Sequence, residues 1–133
     1  NLKEDFGGST PLILASIYGN EQVVRLLINN GADLESRNKS DVTALHQACF
    51  FCRPKIVKTL LEAGAVSNFR NRKGKTQLEV ISAEFSEELR AVYAHIYNVL
   101  NLEFNPENIE KTRRVVAQIL RDHEKSQAEE QVK

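Results

Sequence analysis

Apolar residues return along this chain at two spacings at once. Within short stretches they recur every three or four positions, and the stretches themselves recur every 33 residues: Thr10, Thr43 and Thr76 share one phase, as do Leu12, Leu45 and Leu78. Val23, Val24, Leu27 and Ile28 return as Ile56, Val57, Leu60 and Leu61, and Gly31-Ala32 returns as Gly64-Ala65. The short spacing is that of amphipathic helices. The long one marks supersecondary units that cannot bury their apolar faces alone and so stack into a solenoid. A stack presents extended surfaces and seldom a closed catalytic cleft, which turns the question of function from reaction to partner.

Punctuation separates helix from turn inside each unit. The first helix opens on Thr10-Pro11, a cap followed by a proline at the first helical position, runs through Leu12, Ile13, Leu14, Ala15 and Ile17, and stops at Gly19. A second helix spans 21–29 on Val23, Val24, Leu27 and Ile28 and ends before Gly31, where a left-handed residue is cheapest for glycine. Residues 32–42 are polar and suit a projecting hairpin or extended loop. The second unit repeats this plan, with 38–52 as hairpin tip and first helix and 54–63 as second helix, opened by Pro54.

These units resemble ankyrin repeats. Thr10-Pro11-Leu12 with Ala15, and Thr43-Ala44-Leu45-His46 with Ala48, match that family's Thr-Pro-Leu-His signature; Gly31-Ala32-Asp33 and Gly64-Ala65 match its Gly-Ala-Asp signature, with Gly8 and Gly74 at the hairpin glycine. The resemblance implies an all-α, ankyrin-type solenoid of helix-turn-helix units with short hairpin loops and a modified C-terminal capping repeat. It also implies that His46 is structural, tying helix to hairpin.

The third unit departs from the plan. It starts well at Gly74 to Leu78, but no second helix follows Ala83. The spacing of Val23, Leu26 and Leu27 is restored only at Val116, Ile119 and Leu120, 93 residues on, whereas two periods of 33 make 66; about 27 residues are therefore inserted. The insertion, near 84–110, predicts a helix of its own, with Leu89, Val92, Tyr93, Ile96 and Leu100 on one face and Glu87, Glu88 and Arg90 on the other. Asn105-Pro106-Glu107 then opens the last helix as cap, first-turn proline and first-turn acid. One domain over 1–124 results, with units at about 5–37, 38–70 and 71–124, and a polar tail at 125–133 predicted to fray. Arg113, Arg114, Gln118 and Arg121 stand at apolar positions of the last unit, as in a polar cap that seals a solenoid. The first unit offers no such polar side, so a repeat or cap is expected ahead of Asn1. The irregular last unit resembles those of bacterial ankyrin proteins, a hint about origin.

Composition narrows the function without naming it. Eighteen basic against 18 acidic side chains in 133 residues give no reason to expect nucleic acid, and no apolar run is long enough to span a bilayer. The chain contains no methionine, so further sequence is expected ahead of Asn1. Localisation stays open, the cytoplasm being expected and the periplasm or secretion remaining alternatives. Cys49 and Cys52 form a Cys-x-x-Cys, but at the end of a helix, where the dipole raises a thiol pKa, and without a second ligand pair for a metal. They read as structural. Neither His95 nor His123 has a nucleophile or acid at a catalytic spacing, and Gly7-Gly8 lacks the lysine and strand of a phosphate loop. No catalytic, metal-binding or cofactor residue is assigned.

Two features point to a partner. In ankyrin-like units, Ile17-Tyr18 and Phe50-Phe51 fall at the concave end of the inner helices, one period apart, and would form an apolar strip with Phe6 near it. The strip is either a set of anchors for a partner or core covered by the inserted helix. Arg72, Lys73 and Lys75, with Arg70, gather positive charge on the third hairpin, suited to steering an acidic partner or simply solvated. Lys39, Ser40 and Val42 occupy the tip of the second hairpin. The resulting expectation is a monomeric, non-enzymatic module that binds another protein, with no nucleic acid or membrane, through Phe6, Ile17, Tyr18, Lys39, Ser40, Val42, Phe50, Phe51, Arg72, Lys73 and Lys75. The alternatives are a regulatory or targeting segment of a larger enzyme, an inhibitor or immunity-type protein, or a structural spacer whose strip is covered.

Overall fold

Each of the periodic threonines closes the start of a helix. In the computed structural model, which describes residues 8–132, Thr10, Thr43 and Thr76 accept the backbone N–H of Ile13, His46 and Glu79 at 3.2, 3.4 and 3.2 Å. Such caps satisfy a donor that the helix cannot, each for about 1 kcal/mol. The helices that follow are α1 (Pro11–Tyr18), α3 (Ala44–Phe50) and α5 (Gln77–Ile81). Behind them run α2 (Glu21–Asn29) and α4 (Pro54–Glu62), and the chain ends in α6 (Glu87–Val99) and α7 (Pro106–Val132). The described residues are thus helical in the manner of a solenoid.

The hairpins repeat in equal detail. Asn38 and Asn71, one period apart, each accept two backbone N–H groups through Oδ1: Ser40 and Val42 at 2.9 and 3.3 Å, Lys73 and Lys75 at 2.9 and 3.1 Å. The tight turn needs a left-handed residue at its end. Gly8 and Gly74 supply it at φ 80° and 78°, and Asp41 takes the same place at 63°, as a short polar side chain tolerates.

Inner helices α1, α3 and α5 form one row; α2, α4 and α7 form the outer row. α1 packs on α2 and α3, α3 on α4, and α7 closes against both α4 and α5. Ile13, Val24, Ala48, Val57, Leu60, Val116 and Leu120 are buried between the rows. α7 therefore stands where the second helix of the third unit belongs, reached only after the detour through α6.

Two expectations about the C-terminal part are corrected. Residues 125–131, expected as a tail without regular structure, are helical: α7 runs unbroken to Val132. No glycine or further proline interrupts it after Pro106, and six of the eight residues from 125 to 132 are Lys, Gln, Ala or Glu, all strong helix formers. Arg113 is also no part of a polar outer face. Arg114, Gln118 and Arg121 are exposed, but Arg113 is only 4 % exposed. Its guanidinium donates to the Tyr93 hydroxyl at 3.0 Å and to the carbonyls of Ala83 and Val80 at 2.9 and 3.4 Å. It thereby joins α5, α6 and α7.

Candidate functional site

The ends of α1 and α3 emerge side by side because the same backbone break ends both. Gly19 and Cys52, one period apart, take φ 78° and 58°. Arg53 then reaches back and donates two hydrogen bonds to the Ile17 carbonyl, at 3.1 and 2.9 Å. A cation on the last carbonyls of a helix complements its dipole and locks the first unit to the second.

Against the end of α3 lies α6. Tyr93 stacks on Phe50 with ring centres 4.3 Å apart and planes 3° from parallel, and Tyr97 stacks on Phe51 at 5.6 Å. Each phenol also donates to the backbone of its ring partner: Tyr93 to the Phe50 carbonyl at 2.8 Å, Tyr97 to that of Phe51 at 3.3 Å. Two aromatic pairs and two hydrogen bonds at successive residues fix the height and rotation of α6 above the inner row. Phe85 and Phe104 extend the aromatic cluster at its two ends.

The strip predicted from the sequence is therefore divided. Ile17 and Phe51 are 7 % and 4 % exposed and belong to the core, the first under Arg53 and the second under Tyr97; they are not free anchors. Phe50 is half-buried beneath Tyr93, whereas Tyr18 is 50 % exposed. Phe6 lies outside the described residues. Lys39, Ser40, Arg72, Lys73 and Lys75 are exposed on the hairpin tips, with Val42 half-buried between them and the inner helices.

What α6 leaves uncovered is a cleft. One groove, of about 620 Å³, runs between the ends of α1 and α3 and the flank of α6: Leu14, Ile17, Tyr18, Phe50 and Phe51 form its floor and one wall, Ile96, Val99 and Leu100 the other, with Ser9, Gln47 and His95 at the edges. A second, of about 440 Å³, opens between the hairpins, α5 and the start of α6, and carries Arg72, Lys73, Lys75, Leu89 and Arg113. Ser40, Val42 and Phe50 line both, so the grooves adjoin. Nine of the eleven candidate residues line one groove or the other, and Lys39 lines neither. The α6 wall itself was not anticipated. Its signal was present, since Ile96 and Leu100 share the apolar face with Tyr93, and Val99, one heptad beyond Val92 at the edge of that face, is 65 % exposed.

The titratable groups nearby are arranged for structure. Burial lowers His46 to a pKa of about 4, with Arg37 adding to the effect and Asp41 opposing it. Its Nδ1 accepts the Thr43 N–H at 3.1 Å and meets the Thr43 hydroxyl at 2.8 Å. Burial likewise pushes the Cys49 thiol well above its usual value and Cys52 to about 11, the latter despite Arg113 and Arg53 nearby. Thiols held protonated in this way are poor nucleophiles and poor metal ligands. Among the described residues no three His, Cys, Asp or Glu side chains gather as a metal site, and no helix is long and apolar enough to cross a membrane.

Comparison with known proteins agrees with this architecture. Residues 1–71 match the family described as ankyrin repeats (3 copies). The chain is 47% identical over 57 residues, 42% of its length, to the E3 ubiquitin-protein ligase XBAT33 of Arabidopsis thaliana. It is 37% identical over 87 residues, 65% of its length, to the E3 ubiquitin-protein ligase Ufd4 of Drosophila melanogaster. To the SH3 and multiple ankyrin repeat domains protein 1 of Mus musculus it is 31% identical over 109 residues, 81% of its length. These matches span only 11%, 3% and 5% of the relatives' own lengths. The relatives are plant and animal proteins and lend no support to the bacterial hint.

Proposed function

Because the chain belongs to the ankyrin-repeat family, whose units are protein–protein interaction modules, we propose that it is a non-enzymatic recognition module that engages its partner as a monomer in the cleft between the inner helices and α6. The observation that carries this reading is the adjoining pair of grooves, whose apolar walls are pre-formed on a helical frame. A surface fixed before binding loses little ordering entropy when a partner arrives. Tyr18 and Val99, the exposed apolar side chains on opposite banks, are the anchors that such a partner would contact.

The test uses photo-crosslinking residues placed singly at positions 18 and 99 in the host cell, with exposed position 58 on α4 as control. Recognition through the cleft requires the same protein to be captured from 18 and 99 and not from 58. It also requires Tyr18→Asp and Val99→Asp to weaken that complex by about tenfold or more with no change in urea midpoint. Capture from 58 alone, or binding indifferent to both variants, would sink the reading.

A second reading is favoured by the relatives. Two of them are ubiquitin ligases many times longer than this chain, so the module is open to serving as the targeting segment of a larger enzyme whose catalysis resides elsewhere. The complete reading frame decides this, since a catalytic domain in the same frame supports it.

A further inference from the structure

The cleft has two chemically different ends. Around Tyr18 and Val99 no Asp, Glu, Lys or Arg among the described residues lines it. Beyond Phe50 the lining changes to four cations, Arg72, Lys73, Lys75 and Arg113, against two carboxylates. Those two are already engaged. Asp41 lies 3.3 Å from Arg37 and 3.9 Å from Arg72; Glu79 accepts the Thr76 hydroxyl at 3.1 Å and Arg70 at 3.3 Å. No carboxylate among the described residues comes within 4.0 Å of Lys73 or Lys75. The chain as a whole is neutral, 18 against 18, so this excess of positive charge is local to one end of the cleft.

We infer that the occupant is a peptide segment of a partner protein with bulky apolar side chains seated between Tyr18 and Val99 and carboxylates lying against Arg72, Lys73 and Lys75. The inference rests on the recognition reading above and gives it a direction. Apolar residues gain by leaving water in the uncharged groove, and a reversed segment would bring carboxylates into it without partners. The exposed hairpin cations contribute mainly to encounter rate and orientation, and their effect is screened by salt. Nucleic acid would satisfy the cations equally, but of the Phe and Tyr rings lining the groove Phe51 is buried and Phe50 is stacked under Tyr93, so Tyr18 alone is exposed and offers no stacking platform for successive bases.

The experiment pans a random peptide display library on the full chain and measures the enriched sequences by fluorescence anisotropy. The expected peptides carry apolar residues on one side of an acidic cluster, in one order only. Lys73→Glu with Lys75→Glu should weaken them about tenfold and remove most of their salt dependence between about 50 and 300 mM. Tyr18→Ala should weaken them while leaving the salt dependence in place. Enriched peptides without acidic residues, or peptides indifferent to the charge reversal, overturn the inference and leave protein recognition standing. So does an empty library alongside partner capture from positions 18 and 99, since the partner is then a folded surface. A single-stranded oligothymidylate that displaces the peptides competitively and binds as tightly also overturns it. Failure of the crosslinking test itself rejects both readings.

Discussion

Removing one oxygen from Tyr93 and the same oxygen from Tyr97 should have very different consequences. Both phenols are buried, both stack on a phenylalanine of α3, and both donate to that residue's carbonyl. Only the Tyr93 oxygen also accepts a bond, at 3.0 Å, from the guanidinium of the buried Arg113. In Tyr97→Phe one neutral bond of 3.3 Å is lost, costing about 0.5–1 kcal/mol. In Tyr93→Phe the neutral bond to Phe50 is lost as well as one to a buried charge, which alone is worth about 1.5–3 kcal/mol. The loss should total about 3 kcal/mol, leaving a gap between the variants of about 2 kcal/mol, or roughly thirtyfold in the unfolding equilibrium. Urea denaturation followed by far-ultraviolet circular dichroism reads this directly, with unchanged slopes showing that both variants unfold as the parent does. A double-mutant cycle of Tyr93→Phe with Arg113→Met should then give a coupling of at least about 1 kcal/mol. Equal losses for the two tyrosine variants would refute the assignment of Arg113 as the joint between α5, α6 and α7.

Acid should destabilise the fold through His46. Its pKa is about 4 folded against 6.5 free, so the unfolded chain binds more protons between these values; stability is complete above pH 6.5 and falls as pH drops towards 4. The loss from pH 7 to 5.5 should be about 1 kcal/mol and should be absent in His46→Gln, and denaturation midpoints flat across that range in the parent would contradict it. Cys49 and Cys52, both held protonated by burial, should react with an aromatic disulfide reagent at pH 7.5 no faster than the protein opens; immediate labelling of either would show an accessible thiolate. Gly19→Ala should cost about 1–2 kcal/mol, because φ is 78° and the new Cβ would lie 2.9 Å from the Arg53 guanidinium carbon. Part of that cost should vanish in an Arg53→Ala background, and strict additivity of the two changes would count against the clash.

The regular part of this molecule was legible because its causes are local. A threonine accepts from an N–H three residues on, and an asparagine folds a hairpin over its own backbone whatever surrounds it. The position of the period's breakdown was likewise readable, since restoration at Val116 counts the inserted residues. Less legible were positions whose residue type suggested one environment and whose neighbours supplied another. Arg113 reads as a surface residue until Tyr93, Val80 and Ala83 converge on it from two other elements. Phe51 reads equally as a partner anchor or as covered core until Tyr97 is seen to cover it.

The amino-acid sequence by itself determined the units, their caps, their hairpins and the existence of an inserted amphipathic helix, all of which follow from contacts within a few residues of chain. Which way that helix turns, and therefore which half of the aromatic strip is core and which half borders a cleft, was decided only in three dimensions. The stacking of Tyr93 on Phe50 and of Tyr97 on Phe51 joins residues 43 and 46 positions apart. No periodicity encodes such a pairing, because it depends on the shapes of two surfaces meeting.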